Sequence, residues 1–123
     1  MASPAAPSSD LLPELRPPFA WEGEHIGCTL PGGRSLFTTR RGGVSAAPFD
    51  TLNLGVLTAD DRAAVDANRD RLAALTGIAR DRTVQGRQVH GAAVRRVREL
   101  PPPGAALADA DGQATALDGA GVV

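Results

Sequence analysis

Residues 58–77, TADDRAAVDANRDRLAALTG, decide the fold class, because they carry the clearest helical pattern in the chain. The stretch is rich in alanine, arginine and leucine, all strong helix formers. Val65, Leu72 and Leu75 fall on one helical face, with Asn68 as a polar exception on it. Thr58-Ala59-Asp60-Asp61 predicts a start of the capping-box kind, with Asp where Glu is usual. Gly77 predicts the stop, since glycine accepts the left-handed conformation that ends helices. The expectation is a helix that runs to Thr76.

Outward from the helix the pattern turns to β. Upstream, Ser35-Leu36-Phe37-Thr38-Thr39-Arg40 predicts a strand between Gly32-Gly33 and Gly42-Gly43. Residues 44–57 are irregular, with Pro48 and Gly55 as breaks. Order is expected from Phe19-Ala20-Trp21 onward. Residues 1–18 hold five of the ten prolines and predict a disordered tail, which leaves 19–123 as the folded part. Downstream, two β-type pieces lie at 84–89 and 93–97. Pro101-Pro102-Pro103-Gly104 then breaks the chain. Residues 105–118 are small and acidic, and Gly119-Ala120-Gly121-Val122-Val123 opens a further strand. One helix among several strands predicts an α+β (mixed α/β) class.

Composition narrows the function classes. The 123 residues carry a net charge of −1, and all 13 basic residues are arginine. That balance demands neither nucleic acid nor an acidic membrane. A single cysteine cannot form an internal disulfide, which suits a reducing compartment. No apolar run approaches the roughly 20 residues that span a bilayer. Residues 1–20 lack a basic region followed by a continuous apolar one. A cytoplasmic location is expected.

Several residues are chemically suggestive. His90, in Gly86-Arg87-Gln88-Val89-His90-Gly91, is either a strand-edge residue or one arm of a site. Imidazole is the commonest metal ligand, but zinc needs three or four ligands. His25 and Cys28 have His-x-x-Cys spacing, which is half a metal site at best; otherwise Cys28 is a small buried apolar group. Arg40-Arg41-Gly42-Gly43 is either a solvated turn or an oxyanion holder, because guanidinium grips oxyanions in bidentate fashion. Asn53, between two leucines, either orients a substrate or satisfies loop backbone groups. Residues 80–98 hold six arginines against Asp81 alone, with no aromatics among them for base stacking, and read best as a solvated face.

Taken in order, LFTTRRGGVSAAPFDTLNLG, DDRAAVDANRDRLAALTG, QVHGAAVRRV and ADADGQATALDGAGVV resemble the YfiH-like laccase-domain family. This family is also called the peptidoglycan editing factor or multicopper polyphenol oxidase family. The resemblance covers residues 35–123. It implies the N-terminal half of a layered α/β sandwich, with mixed sheets and outer helices. It implies zinc (copper in older descriptions) beside a purine-nucleoside pocket. The activities it implies are those of a purine nucleoside phosphorylase, an adenosine deaminase and a methylthioadenosine phosphorylase, acting on purine nucleosides and phosphate.

By the same resemblance His90 is a metal ligand and a catalytic residue, and Arg40 and Asn53 lie near the pocket. The family's other ligands are a cysteine in a Thr-Ala-Asp-Cys-like strand end and a histidine in a His-Ala-Gly-Trp-like motif. Neither motif occurs in these 123 residues, and His25 and Cys28 do not match them. The expectation is a zinc-dependent family domain, truncated and inactive as this chain. Its alternatives are one half of a split enzyme completed by a second chain, or an arginine-rich nucleic-acid-binding module.

Overall fold

The structure is a computed structural model and describes residues 12–123. Three small sheets and one helix make up the described fold, so the mixed α/β class expected from the sequence is the one found. Strands β1 (Phe19–Glu22), β2 (His25–Leu30) and β3 (Gly33–Phe37) form an antiparallel meander. Glu22 pairs with His25 and Leu30 with Gly33, so each reversal takes only two residues, Gly23-Glu24 and Pro31-Gly32. Phe19 and Phe37 stack edge to face across the sheet, 6.3 Å between centroids. Of the tail expected over 1–18, residues 1–11 lie outside the described part. Pro13 accepts from Trp21 Nε1 at 2.9 Å.

The first strand of the sequence reading is shifted. It ends at Phe37 instead of Arg40, because Thr39 leaves the ladder: its N–H donates to His25 Nδ1 at 3.0 Å and its hydroxyl to the Glu24 carbonyl at 2.8 Å.

Helix α1 spans Arg62–Thr76. The expected stop holds, with Gly77 at φ 72° and its N–H donating to the Ala73 carbonyl. The start differs. Asp61, not Thr58, is the N-cap, and its carboxylate accepts from the Ala63 N–H at 3.1 Å. The Thr58 hydroxyl donates instead to the Gly55 carbonyl at 3.0 Å. The expected apolar face is also revised. Val65 and Asn68 are buried, while Leu75 is 43% exposed. The helix therefore docks through its N-terminal half.

After a 3₁₀ turn at Arg80–Arg82 come β4 (Thr83–Val84), β5 (Val94–Val97), β6 (Gly112–Thr115) and β7 (Gly121–Val122). β4 pairs with β7 and β5 with β6, both in parallel. The expected strand at 84–89 stops at Val84, and Arg87 makes only an isolated bridge to Asp109. Gln113 joins the two pairs, since its Nε2 donates to the carbonyls of Val84 (3.1 Å) and Val123 (2.7 Å). Among the described residues the buried apolar side chains are few: Cys28, Leu52, Val65, Val84, Val97 and Ala110.

Candidate functional site

Two loops carry the residues singled out by the sequence. The first, residues 38–61, wraps the start of α1 and is held by Asn68. That side chain is fully buried. Its Oδ1 accepts from the Val44 N–H at 2.8 Å, and its Nδ2 lies 2.9 Å from Ser45 Oγ, 3.2 Å from the Thr51 carbonyl and 2.9 Å from the Asn53 carbonyl. A buried amide is tolerated when its donors and acceptor are matched in this way. Gly43 lets the two arms of the loop touch, because a Cβ there would collide with the Thr51 carbonyl oxygen and Leu52 Cα.

Arg40 sits at the mouth of this loop, exposed. Its Nε donates to the Asp50 carbonyl at 2.8 Å and its Nη2 lies 3.1 Å from Asp50 Oδ2. The Arg40 carbonyl accepts from the N–H groups of Thr51 and Leu52. Asn53 is committed inside the loop. Its Nδ2 donates to Thr58 Oγ1 at 2.9 Å and to Asp60 Oδ2 at 3.1 Å, and its Oδ1 accepts from the Gly55 N–H. Asp60 also takes the Ser45 hydroxyl at 2.6 Å. That bond, with the Asn53 and Asp61 N–H groups, holds the Asp60 carboxyl below the usual carboxylate range.

The second loop carries His90. Residue 90, for which a strand-edge position is one expectation, instead adopts φ 57°, the left-handed region outside the β range. The backbone here is tied to a residue elsewhere in the chain. Asp111 Oδ1 accepts from the N–H of Val89 at 3.0 Å and of Gly91 at 3.1 Å, and Oδ2 from the N–H of His90 at 3.0 Å. Those N–H groups, Val89 first, keep the Asp111 carboxyl below the usual range. The His90 side chain is exposed.

Arg69 links the two loops. Its Nε donates to the Leu54 carbonyl and its Nη2 to Gln85 Oε1, each at 2.8 Å. Burial, and then the nearby charge of Arg80, lower its pKa from the ordinary arginine value. Sequence reasoning missed Arg69 and Asp111. Asn68 was visible as a polar break in an apolar face, but its role was not.

Among the described residues no hydrogen bond or ion pair joins His90, Arg40 and Asn53 to one another. Two cavities, of about 260 and 400 Å³, are lined by none of the three. His25 and Cys28 are both buried, but in an extended strand residues three apart face opposite sides. His25 Nδ1 is moreover occupied by Thr39. Among the described residues no three His, Cys, Asp or Glu side chains converge on a point where a metal ion would sit. Zinc takes four ligands in structural sites and three plus water in catalytic ones, so the described residues do not make a zinc site. Of the six arginines of 80–98, Arg80, Arg87, Arg96 and Arg98 are exposed, as a solvated face requires, and three of the six also make contacts within the fold. Arg80 pairs with Asp66 and Asp70, Arg87 with Asp109, and Arg82 donates to the carbonyls of Asp118 and Gly119. Among the described residues no helix is long and apolar enough to cross a membrane.

The chain is similar to known proteins. The chain is 54% identical over 83 residues to a purine nucleoside phosphorylase of Mycobacterium tuberculosis, covering 68% of this chain and 32% of that protein. It is 41% identical over 86 residues to a purine nucleoside phosphorylase of Corynebacterium glutamicum, covering 70% and 35%. The crystal structure of YlmD from Geobacillus stearothermophilus superposes with a TM-score of 0.59 at 37% identity, over 64% of this chain and 31% of that one. The chain thus spans about a third of the length of the relatives it matches. Residues 34–123 match the family described as multi-copper polyphenol oxidoreductase laccase, and the chain belongs to that family.

Proposed function

We propose that this chain supplies the His90 loop and the Arg40 turn of a site that acts on purine nucleosides and phosphate. The observation that carries the reading is the presentation of His90. An exposed imidazole stands on a loop whose left-handed backbone is pinned by three hydrogen bonds to one carboxylate. Unfavourable backbone conformations persist where the surroundings over-determine them, and they cluster at functional sites. The purine nucleoside phosphorylase names of the relatives supply the substrate class. His90 then gives one zinc ligand, and a further polypeptide segment gives the others. Adenosine deamination belongs to the same proposal as a second use of the completed site.

In phosphorolysis, phosphate displaces the purine from the ribose. The residue of this chain suited to phosphate is Arg40, whose guanidinium is exposed and already holds an oxyanion, the Asp50 carboxylate. Phosphate takes that partner's place in a bidentate grip. Asn53 acts indirectly, by ordering the loop that carries Asp50.

The chain by itself is proposed to be inactive. It is expected to bind no stoichiometric zinc and to release no base from inosine or adenosine. In a protein extended to the length of its relatives, Arg40→Ala is expected to raise the phosphate KM at least about tenfold, the scale of one lost charge-assisted bond. Unchanged phosphate dependence removes Arg40 from the site. The nucleic-acid alternative is disfavoured by the near-neutral net charge of −1 and by the absence of aromatics within 80–98.

A further inference from the structure

We infer that Asp111 is a positioning residue: its carboxylate fixes the left-handed backbone at His90 and so sets the direction in which the imidazole leaves the loop. The inference rests on reading His90 as the functional side chain of this loop. It begins from geometry. The chain from Arg87 to Val94 runs alongside Asp109 to Gly112, bridged at Arg87 with Asp109 and again at Val94 with Gly112. The first strand has more residues than the second between these two points, so its excess bulges outward. His90 is in that bulge.

A bulge of this kind turns several N–H groups inward with no ladder partner. Left unpaired, each would cost free energy comparable to a lost hydrogen bond. Asp111 stands opposite and takes three of them, from Val89, His90 and Gly91. Three successive N–H groups converging on one anion form a backbone nest, a geometry suited to carboxylate or phosphate oxygens. An apolar or cationic side chain at 111 would leave the nest empty, and the left-handed φ of His90 would lose what holds it. Outside glycine that φ is uncommon, even though histidine tolerates it better than most residues.

The neighbours of Asp111 keep it in register. Asp109 pairs with Arg87, at 2.6 Å. The Arg87 N–H donates to the Ala108 carbonyl, and the Ala110 N–H to the Arg87 carbonyl. Gly86 permits the approach, since a Cβ there would lie 2.5 Å from the Ala110 carbonyl oxygen. Asp109 and Asp111, two residues apart, therefore grip the Gln-Val-His-Gly segment at its start and at its bend.

The test is amide hydrogen exchange on the ¹⁵N-labelled 123-residue chain, together with the His90 Cα resonance, which reports φ. In Asp111→Ala the amides of Val89, His90 and Gly91 are expected to exchange at least about tenfold faster, with the His90 Cα resonance displaced. Exchange at Val65 and Asn68 in α1 is expected to stay the same. Asp111→Asn is nearly isosteric and keeps one acceptor oxygen, so it is expected to lose an intermediate share of the protection and partly restore the resonance. Unchanged exchange at 89–91 in Asp111→Ala would overturn the inference. So would an equal rise at Val65 and Asn68, which would make Asp111 a support of the whole fold. His90→Ala leaves the backbone nest intact and should keep protection at Val89 and Gly91. The clamp is thus judged by the Asp111 variants, and the role of the imidazole by the activity of His90→Ala in the protein extended to the length of its relatives.

Discussion

Asn68 shows how one side chain can organise a loop without touching substrate. It is fully buried, and it satisfies groups from Val44, Ser45, Thr51 and Asn53 at once. Asn68→Ala is expected to cost about 3 kcal/mol, because it leaves the Val44 N–H without its acceptor and takes a donor from Ser45 Oγ and from the Thr51 and Asn53 carbonyls. Urea unfolding of the variant measures this directly. Asn68→Asp should be worse than its size suggests, since a carboxylate cannot donate to the two carbonyls. In the sequence Asn68 was legible only as an oddity on an apolar face. Its partners lie 15 to 24 residues away, so no local pattern points to them. His90 was harder still. Its left-handed backbone is tied to a carboxylate 21 residues downstream, and the valine beside it suggests a strand.

The elements were more readable than the residues, for a physical reason. A helix interior and its glycine stop are local events, and both were expected where they occur. The start was not, because Thr58, Asp60 and Asp61 are all competent caps and tertiary contacts decide among them. Asn53 and the Gly55 carbonyl hold Thr58, and Ser45 and Asn53 hold Asp60, which leaves Asp61 for the cap. Asp61→Ala should therefore cost about 1 kcal/mol, while Thr58→Ala perturbs the preceding loop and not the helix end. Helix dichroism set against loop amide exchange separates the two.

The same helix carries a pH dependence. The Arg80 guanidinium beside Asp66 holds its carboxyl below the usual range, and Arg62 adds to this. The folded pKa lies below the unfolded one. The contribution is therefore present above about pH 4 and fades as pH falls through the folded value. Asp66→Asn is expected to flatten the acid side of the urea-midpoint profile below about pH 5, where the unfolded carboxyl begins to take up protons. An unchanged profile would remove Asp66 from acid stability.

At the scale of the whole molecule, the described fold buries few apolar side chains and exposes many. Leu57 is 80% exposed, Val94 68% and Val123 66%. Solvent-facing apolar side chains on short, open strands favour association. Sedimentation velocity is expected to show the chain self-associating as its concentration rises, and Val94→Thr should weaken this without loss of helix dichroism. The fold class was legible because one amphipathic helix and several β-type segments are enough to fix it. The strand partnerships were not, because all pairing in the second half is parallel and non-local. That pairing has a temporal consequence. The meander β1–β3 closes through two-residue reversals, and such hairpins form within microseconds. Val84 has to wait for Val122, so its ladder forms only after a large loop has closed. A refolding chain therefore assembles in the order of its own synthesis: the N-terminal sheet sets first, and the segment bearing His90 is among the last to take its shape.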